Sequence, residues 1–172
     1  ADLTRAGAAS LIVDVRRTSG GSLDAGLSLA RLFVPSGTLA KRESKGQPPE
    51  TIASKPGDGV IAVPVTVLAD LGTSSAAELF ASALLANKRA EIIGEHTMGR
   101  AASQKLIKLP DGSGLYLTTT RYLQPDGTPL HEKGLEPSVA VDQPPVEFGQ
   151  IPPATDLILD KAIDRASVKK AA

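Results

Sequence analysis

The chain has 172 residues, 41% of them hydrophobic, and its 19 basic side chains balance 19 acidic ones. That length suits one domain with a real core, and the charge balance lacks the basic excess that marks a nucleic-acid surface, so no nucleic-acid partner is expected. With no cysteine and two histidines, His96 and His131, disulfides, thiolate nucleophiles and cysteine- or histidine-rich metal sites drop out, and neither metal nor cofactor is expected.

No apolar run approaches the ~20 residues of a membrane span. "ADLTRAGAA" reads as the tail of a helix, with no signal-like segment, so the chain is taken as a processed or excised piece of something longer. "SLIVDVR" (10–16) is a short β-branched run, the pattern of a buried strand. A glycine turn, "RTSGG", follows. Residues 22–34 carry Leu23, Leu27, Leu29, Ala30 and Phe33 at helical spacing, with "PSG" as the stop. Residues 38–54 predict two edge strands around Pro48–Pro49, and the Lys-, Pro- and Gly-rich 41–59 region reads as a mobile loop.

"VIAVPVTVLAD" (60–70) is the second strong strand. A helix over about 74–87 follows, with Ala76, Phe80, Ala83 and Leu84 on one face, and "AEIIGE" (90–95) is a third buried strand. Lys88, Arg89 and the charges at 41–45 read as solvated surface. Beyond residue 102, alternating strands run around Asp-Gly turns at 111–112 and 126–127, "PSVAV" is a last short strand, and residues 154–170 form an amphipathic helix. Strand–helix alternation followed by a β-rich segment makes an α/β fold with a mostly parallel central sheet flanked by helices. The whole chain, 1–172, is read as a single domain.

Chemistry in an open α/β sheet gathers at the carboxyl ends of strands. "LGTSSAAE" occupies such a place. A serine there lies in the positive field of the helix start, beside backbone N–H groups that lack intrahelical partners and can donate to an oxyanion. The same residues also read as an N-cap, with Glu78 completing a capping-box pattern, and the segment alone leaves both readings open. "DVRRTSGG" likewise follows a strand and precedes a helix. Its glycine pair lets backbone approach a bound carbonyl, although glycine is also the default turn residue.

Together these segments resemble the C-terminal processing peptidases, or tail-specific proteases, serine peptidases with a Ser–Lys pair on a ClpP/crotonase-like fold. That family reads D-L-R-x-N-x-G-G, then S-A-S-A-S-E at a helix start, then G-E-x-T-F-G-K-G-x-x-Q. Here the counterparts are "DVRRTSGG" (14–21), "TSSAAE" (73–78) and "GEHTMGRAASQ" (94–104), and "DGSGLYLTTTRYLQPDG" and "HEKGLEPSV" resemble its closing segments. The resemblance spans roughly residues 8–142 in family order. It implies Ser75 as nucleophile, Gly21 and Ala76 as oxyanion-hole donors, Glu78 as a supporting carboxylate and Gln104 as the glutamine beyond the base.

One position departs from the pattern. The family's lysine falls on Arg100, 25 residues after Ser75. A buried lysine can lose its proton and act as base, whereas an arginine stays charged and can only donate. Lys105 adjoins Gln104 but points to the opposite face by strand alternation, and His96 is the other base to consider. The resemblance therefore implies a serine endopeptidase acting on protein or peptide substrates near their C-terminal tails, with activity impaired by Arg100. The alternatives are a non-catalytic peptide-binding scaffold and, more remotely, a crotonase-like acyl-CoA enzyme. By the same resemblance the protein is exported or periplasmic, the N-terminal part of the core and a PDZ domain lie outside this chain, and a homo-oligomer is compatible with the reading.

Overall fold

The computed structural model describes residues 5–144 and 155–171. Of the expected helix tail at 1–9, residues 1–4 lie outside them, and among residues 5–9 Arg5 alone is helical.

The first sheet is entirely parallel. It holds β1 (Leu11–Asp14), β4 (Val65–Ala69), β5 (Ala90–Gly94) and β8 (Val139–Ala140) in the order β1-β4-β5-β8. Val13 pairs with Val67, and Val67 with Ile92, so the three apolar runs read from sequence are neighbours. Every residue of β4 is buried, as expected of a parallel strand covered on both faces. Alternation along it sends Val65, Val67 and Ala69 to one core and Leu68 to another.

Helix α1 (Leu23–Arg31) begins at Ser22, whose hydroxyl accepts the Ala25 N–H at 3.2 Å. Helix α2 (Ala76–Ala86) is buried along its first nine residues and packs between the parallel sheet, α1 and the second sheet. Phe33 and Phe80 meet edge to face, ring centres 5.7 Å apart. Gly26 lets the two helices approach closely: a Cβ there would lie 2.2 Å from the Ala76 carbonyl oxygen. On the opposite face of the parallel sheet, α3 (Leu157–Ala171) sets Ile158 and Ala162 on Leu68 and Ile93.

The second sheet is antiparallel, in the order β3-β2-β7-β6, from β2 (Thr38–Ser44), β3 (Glu50–Ala53), β6 (Ala102–Lys108) and β7 (Gly114–Leu123). Two expectations are corrected here. Strand β2 is interior, paired with β3 on one side and β7 on the other, so of the two expected edge strands only β3 is one, and residues 41–44 and 50–53 of the supposed loop at 41–59 are sheet. Leu39 and Ala40 explain this, because both are fully buried in the main core and anchor the strand. Arg89 is likewise not a surface charge. Its guanidinium donates to the Phe33, Ile61 and Val63 carbonyls at 3.0, 2.8 and 2.5 Å and ties the connection before β4 to the turn after α2. The β6–β7 hairpin turns at Asp111–Gly112 and is exposed on both faces toward its tip, with Tyr116 68% exposed.

Candidate active site

Three loops meet at the carboxyl end of the parallel sheet: 15–21 after β1, 70–75 after β4 and 95–101 after β5. Parallel strands deliver them side by side, which is why motifs far apart in sequence converge. The first two are stitched together by backbone and short polar groups. Arg17 N–H donates to Asp70 Oδ1 at 2.9 Å, Ser74 N–H donates to the Thr18 carbonyl at 2.9 Å, and the buried Thr73 hydroxyl lies 3.0 Å from the Val15 carbonyl. The third loop joins them through the Met98 N–H, which donates to the Thr73 carbonyl at 3.0 Å.

Ser75 is the N-cap of α2 and is half-buried. Its backbone stands at φ +58, ψ −115, a region that costs a non-glycine residue about 1–3 kcal/mol and persists only where surrounding structure enforces it. Such strain at a strand-to-helix turn is the arrangement that presents a side chain clear of the helix it precedes. Ser75 N–H donates to Glu78 Oε2 at 2.9 Å, the firm arm of a capping box, while the arm from Glu78 N–H toward the Ser75 hydroxyl falls short of a full hydrogen bond. Ser75 thus holds the start of the helix through its backbone N–H and the Glu78 carboxylate. Ser74 is 1% exposed, and its hydroxyl has no partner among the described residues.

Glu78 is the hub. It is fully buried and, as a carboxylate, is acceptor-only. Its Oε1 takes the Thr97 hydroxyl at 2.6 Å and the Gly99 N–H at 2.5 Å, and its Oε2 takes the Ser75 N–H at 2.9 Å and the Arg100 N–H at 2.8 Å. One side chain therefore fixes the backbone of Ser75 and the backbone of position 100 together. Thr97 passes the contact onward by accepting the Leu135 N–H at 2.8 Å. Gly99 is obligatory in this packing, since at φ +80 a Cβ would lie 2.8 Å from the Gly134 nitrogen.

Gly21, at φ +91, brings the first loop against the head of α2: a Cβ on it would lie 3.5 Å from the Ala76 Cβ. The positive φ is a conformation glycine adopts at no steric cost. Ser75, Ala76, Gly21, Glu78 and the backbone of Arg100 are thus gathered at one place. The side chains of Arg100 and Gln104 are not bonded into it. Arg100 is exposed and makes its hydrogen bond through its backbone, and Gln104, exposed on β6, donates weakly to the Thr118 hydroxyl at 3.4 Å. Lys105 is also exposed on β6. His96 lies 3.6 Å from the exposed Glu136 carboxylate. Asp70, Thr73 and Thr97 tie these loops together although no motif singles them out. Thr73 and Thr97 sit inside the motif segments themselves, which was the available signal.

No helix among the described residues is long and apolar enough to cross a membrane, and among them no cluster of His, Asp and Glu could hold a metal ion.

The chain is similar to known proteins over most of its length. The chain is 35% identical over 162 residues to a carboxyl-terminal-processing protease of Synechocystis, covering 94% of this chain and 38% of that protein. It is 38% identical over 143 residues to a chloroplastic C-terminal processing peptidase of Tetradesmus obliquus, covering 82% of this chain and 30% of the other. The solved structure of a photosystem II D1 C-terminal processing protease superposes with a TM-score of 0.73 at 35% identity, over 82% of this chain and 36% of that one. A peptidase from Parabacteroides merdae shares the fold at TM-score 0.74 and 22% identity. The chain thus spans between 30% and 51% of the length of these relatives. Residues 1–141 match Peptidase family S41 as a whole, and the chain belongs to that family.

Proposed function

We propose that this chain is the catalytic domain of a serine endopeptidase that cleaves protein substrates near their C-terminal tails, with proton transfer impaired by Arg100. The observation that carries it is the strained backbone of Ser75 at the head of a buried helix, facing the Gly21 loop and locked by Glu78 to position 100. In the reaction, Ser75 Oγ bonds to the substrate carbonyl carbon while the Gly21 and Ala76 N–H groups take the developing oxyanion. Collapse breaks the carbon–nitrogen bond, the amine leaves with a proton, and water releases the acyl group from Ser75. The missing part is a base. A guanidinium holds its proton at any workable pH, and loss of a positioned base costs roughly 10²–10⁴-fold in rate. By the family's pattern the protein works outside the cytoplasm.

A second reading is favoured by Arg100 itself: a peptide-binding domain that keeps the cleft and has lost turnover. The two readings separate in one experiment, run in the longest natural polypeptide carrying this domain. Arg100→Lys should raise cleavage of an unstructured peptide at least about tenfold, a floor below the range for a general base, and Ser75→Ala should abolish the gain. A parent that already cleaves as fast as its lysine variant, in a Ser75-dependent way, would refute the impairment and make His96 the next base to test. Peptide binding without cleavage in both proteins would favour the second reading.

A further inference from the structure

One charged cluster remains unused by this mechanism. Arg16, just beyond β1, lies between two carboxylates. Its Nε and Nη2 donate to Asp14 Oδ1 and Oδ2 at 3.0 and 2.7 Å, and its Nη1 and Nη2 donate to Asp156 Oδ1 and Oδ2 at 2.8 Å each. Parallel donation from a planar fork to both carboxylate oxygens fixes direction as well as distance. The Arg16 side chain is only 18% exposed.

Asp156 is itself held. Its Oδ1 accepts the Leu159 N–H at 3.0 Å and its carbonyl accepts the Asp160 N–H at 2.8 Å, so it caps α3. That helix is seated by Ile158 and Ala162 on the back of the parallel sheet. A rigid path therefore runs from the back of the sheet, through Asp156 and Arg16, into the loop that ends at Gly21. The next residue of that loop, Arg17, stands at φ +55, a conformation that neighbouring contacts must enforce. Asp70 holds the far side of Arg17 and Ser74 holds Thr18, both at 2.9 Å, leaving Gly21 three residues from the last fixed point.

We propose that Asp156 is a positioning residue for the oxyanion donor at Gly21: by gripping Arg16 it sets the 16–21 loop against the head of α2. The proposal rests on the peptidase reading above. Ion pairing that merely stabilised α3 would be matched by that helix's other tether, Arg165 to Glu91 at 2.5 Å, and this supplies the control. Asp156→Asn keeps an N-cap acceptor for Leu159, because asparagine caps as well as aspartate, but loses the charged fork. Arg165→Gln loosens the same helix without touching Arg16.

In the Arg100→Lys background, Asp156→Asn should lower kcat about tenfold with KM within about twofold, a modest misplacement on the scale that a 1 Å error can cost. Arg165→Gln should leave kcat unchanged. In the chain as it stands, ¹⁵N relaxation of the Gly20 and Gly21 amides should show order parameters falling from the rigid range near ~0.85 toward ~0.6 in Asp156→Asn and not in Arg165→Gln. Unchanged kcat, glycine amides as rigid as the parent's, or an equal effect of Arg165→Gln in either readout overturns the proposal. If the Arg100→Lys protein cleaves nothing, the peptidase reading has failed, and the relaxation measurement alone decides whether Asp156 orders the loop.

Discussion

Glu78→Gln tests the hub of the site with a change of almost no volume. The carboxylate accepts from Ser75 N–H, Arg100 N–H, Gly99 N–H and the Thr97 hydroxyl, all in a fully buried place. A glutamine offers one acceptor oxygen and an amide that donates. The better placement keeps the oxygen on Ser75 and Arg100 and turns the NH₂ toward Thr97 and Gly99. Thr97 Oγ1 already accepts the Leu135 N–H but has a lone pair left for the new amide. Gly99 N–H has no such option and faces a donor. The buried Thr97 O–H, which donated to Oε1, loses its acceptor with it; each orphaned buried donor costs about 1–3 kcal/mol, so the two lower Tm by at least about 4 °C for a domain of this size. Glu78→Ala orphans all four donors, at least ~4 kcal/mol at the lower end of the same range, a large part of a typical total of about 5–15 kcal/mol. Thermal and urea unfolding followed by circular dichroism would measure both. A glutamine variant melting within a degree of the parent, with alanine no worse, would refute the reasoning and mean that the four donors are satisfied in some other way.

Gly26→Ala should destabilise by about 1–3 kcal/mol, as overpacking does, because its Cβ would lie 2.2 Å from backbone at the Ala76 carbonyl; urea unfolding at unchanged m-value checks it, and a neutral result would show that α1 shifts freely from α2. The Arg16 clamp predicts a pH dependence. Hydrogen bonds from Arg16 hold the Asp156 carboxyl below its usual range, and at Asp14 burial pushes upward but the Arg16 hydrogen bonds win, so it too is lowered. Depressed carboxylates stabilise the fold above their unfolded pKa, about 3.9 for aspartate, and lose that contribution as pH falls through the folded values below it. The Tm gap between the parent and Asp156→Asn should therefore stay flat from about pH 5 to 8 and close on acidification below about pH 4; a gap that widens in acid would contradict the clamp.

The order of strands and helices was legible because burial leaves a local imprint. β-branched runs at 10–16, 60–70 and 90–95 and the helical spacing at 22–34 and 74–87 each report their own environment, and the structure keeps all five elements. Motif order and the offset from Ser75 to Arg100 carried the family, since those spacings are fixed by the turns after parallel strands. The same reading misplaced what depends on a distant partner. The interior position of β2 is set by β7, whose pairing residues lie some 80 positions away, and the carbonyls that take up the Arg89 charge come from two other connections. Local charge and proline content describe neither. The strain at Ser75 is invisible in sequence as well, because serine is a common N-cap and its positive φ arises only when Glu78 and the Gly21 loop close around it. Nothing in sequence marks Asp156 as a partner of Arg16, 140 residues earlier. Sequence determined which elements form and which chemistry they could host; tertiary packing alone decided which buried charge holds them in register, because a carboxylate's partners are chosen by proximity in the folded chain and leave no periodic pattern along it.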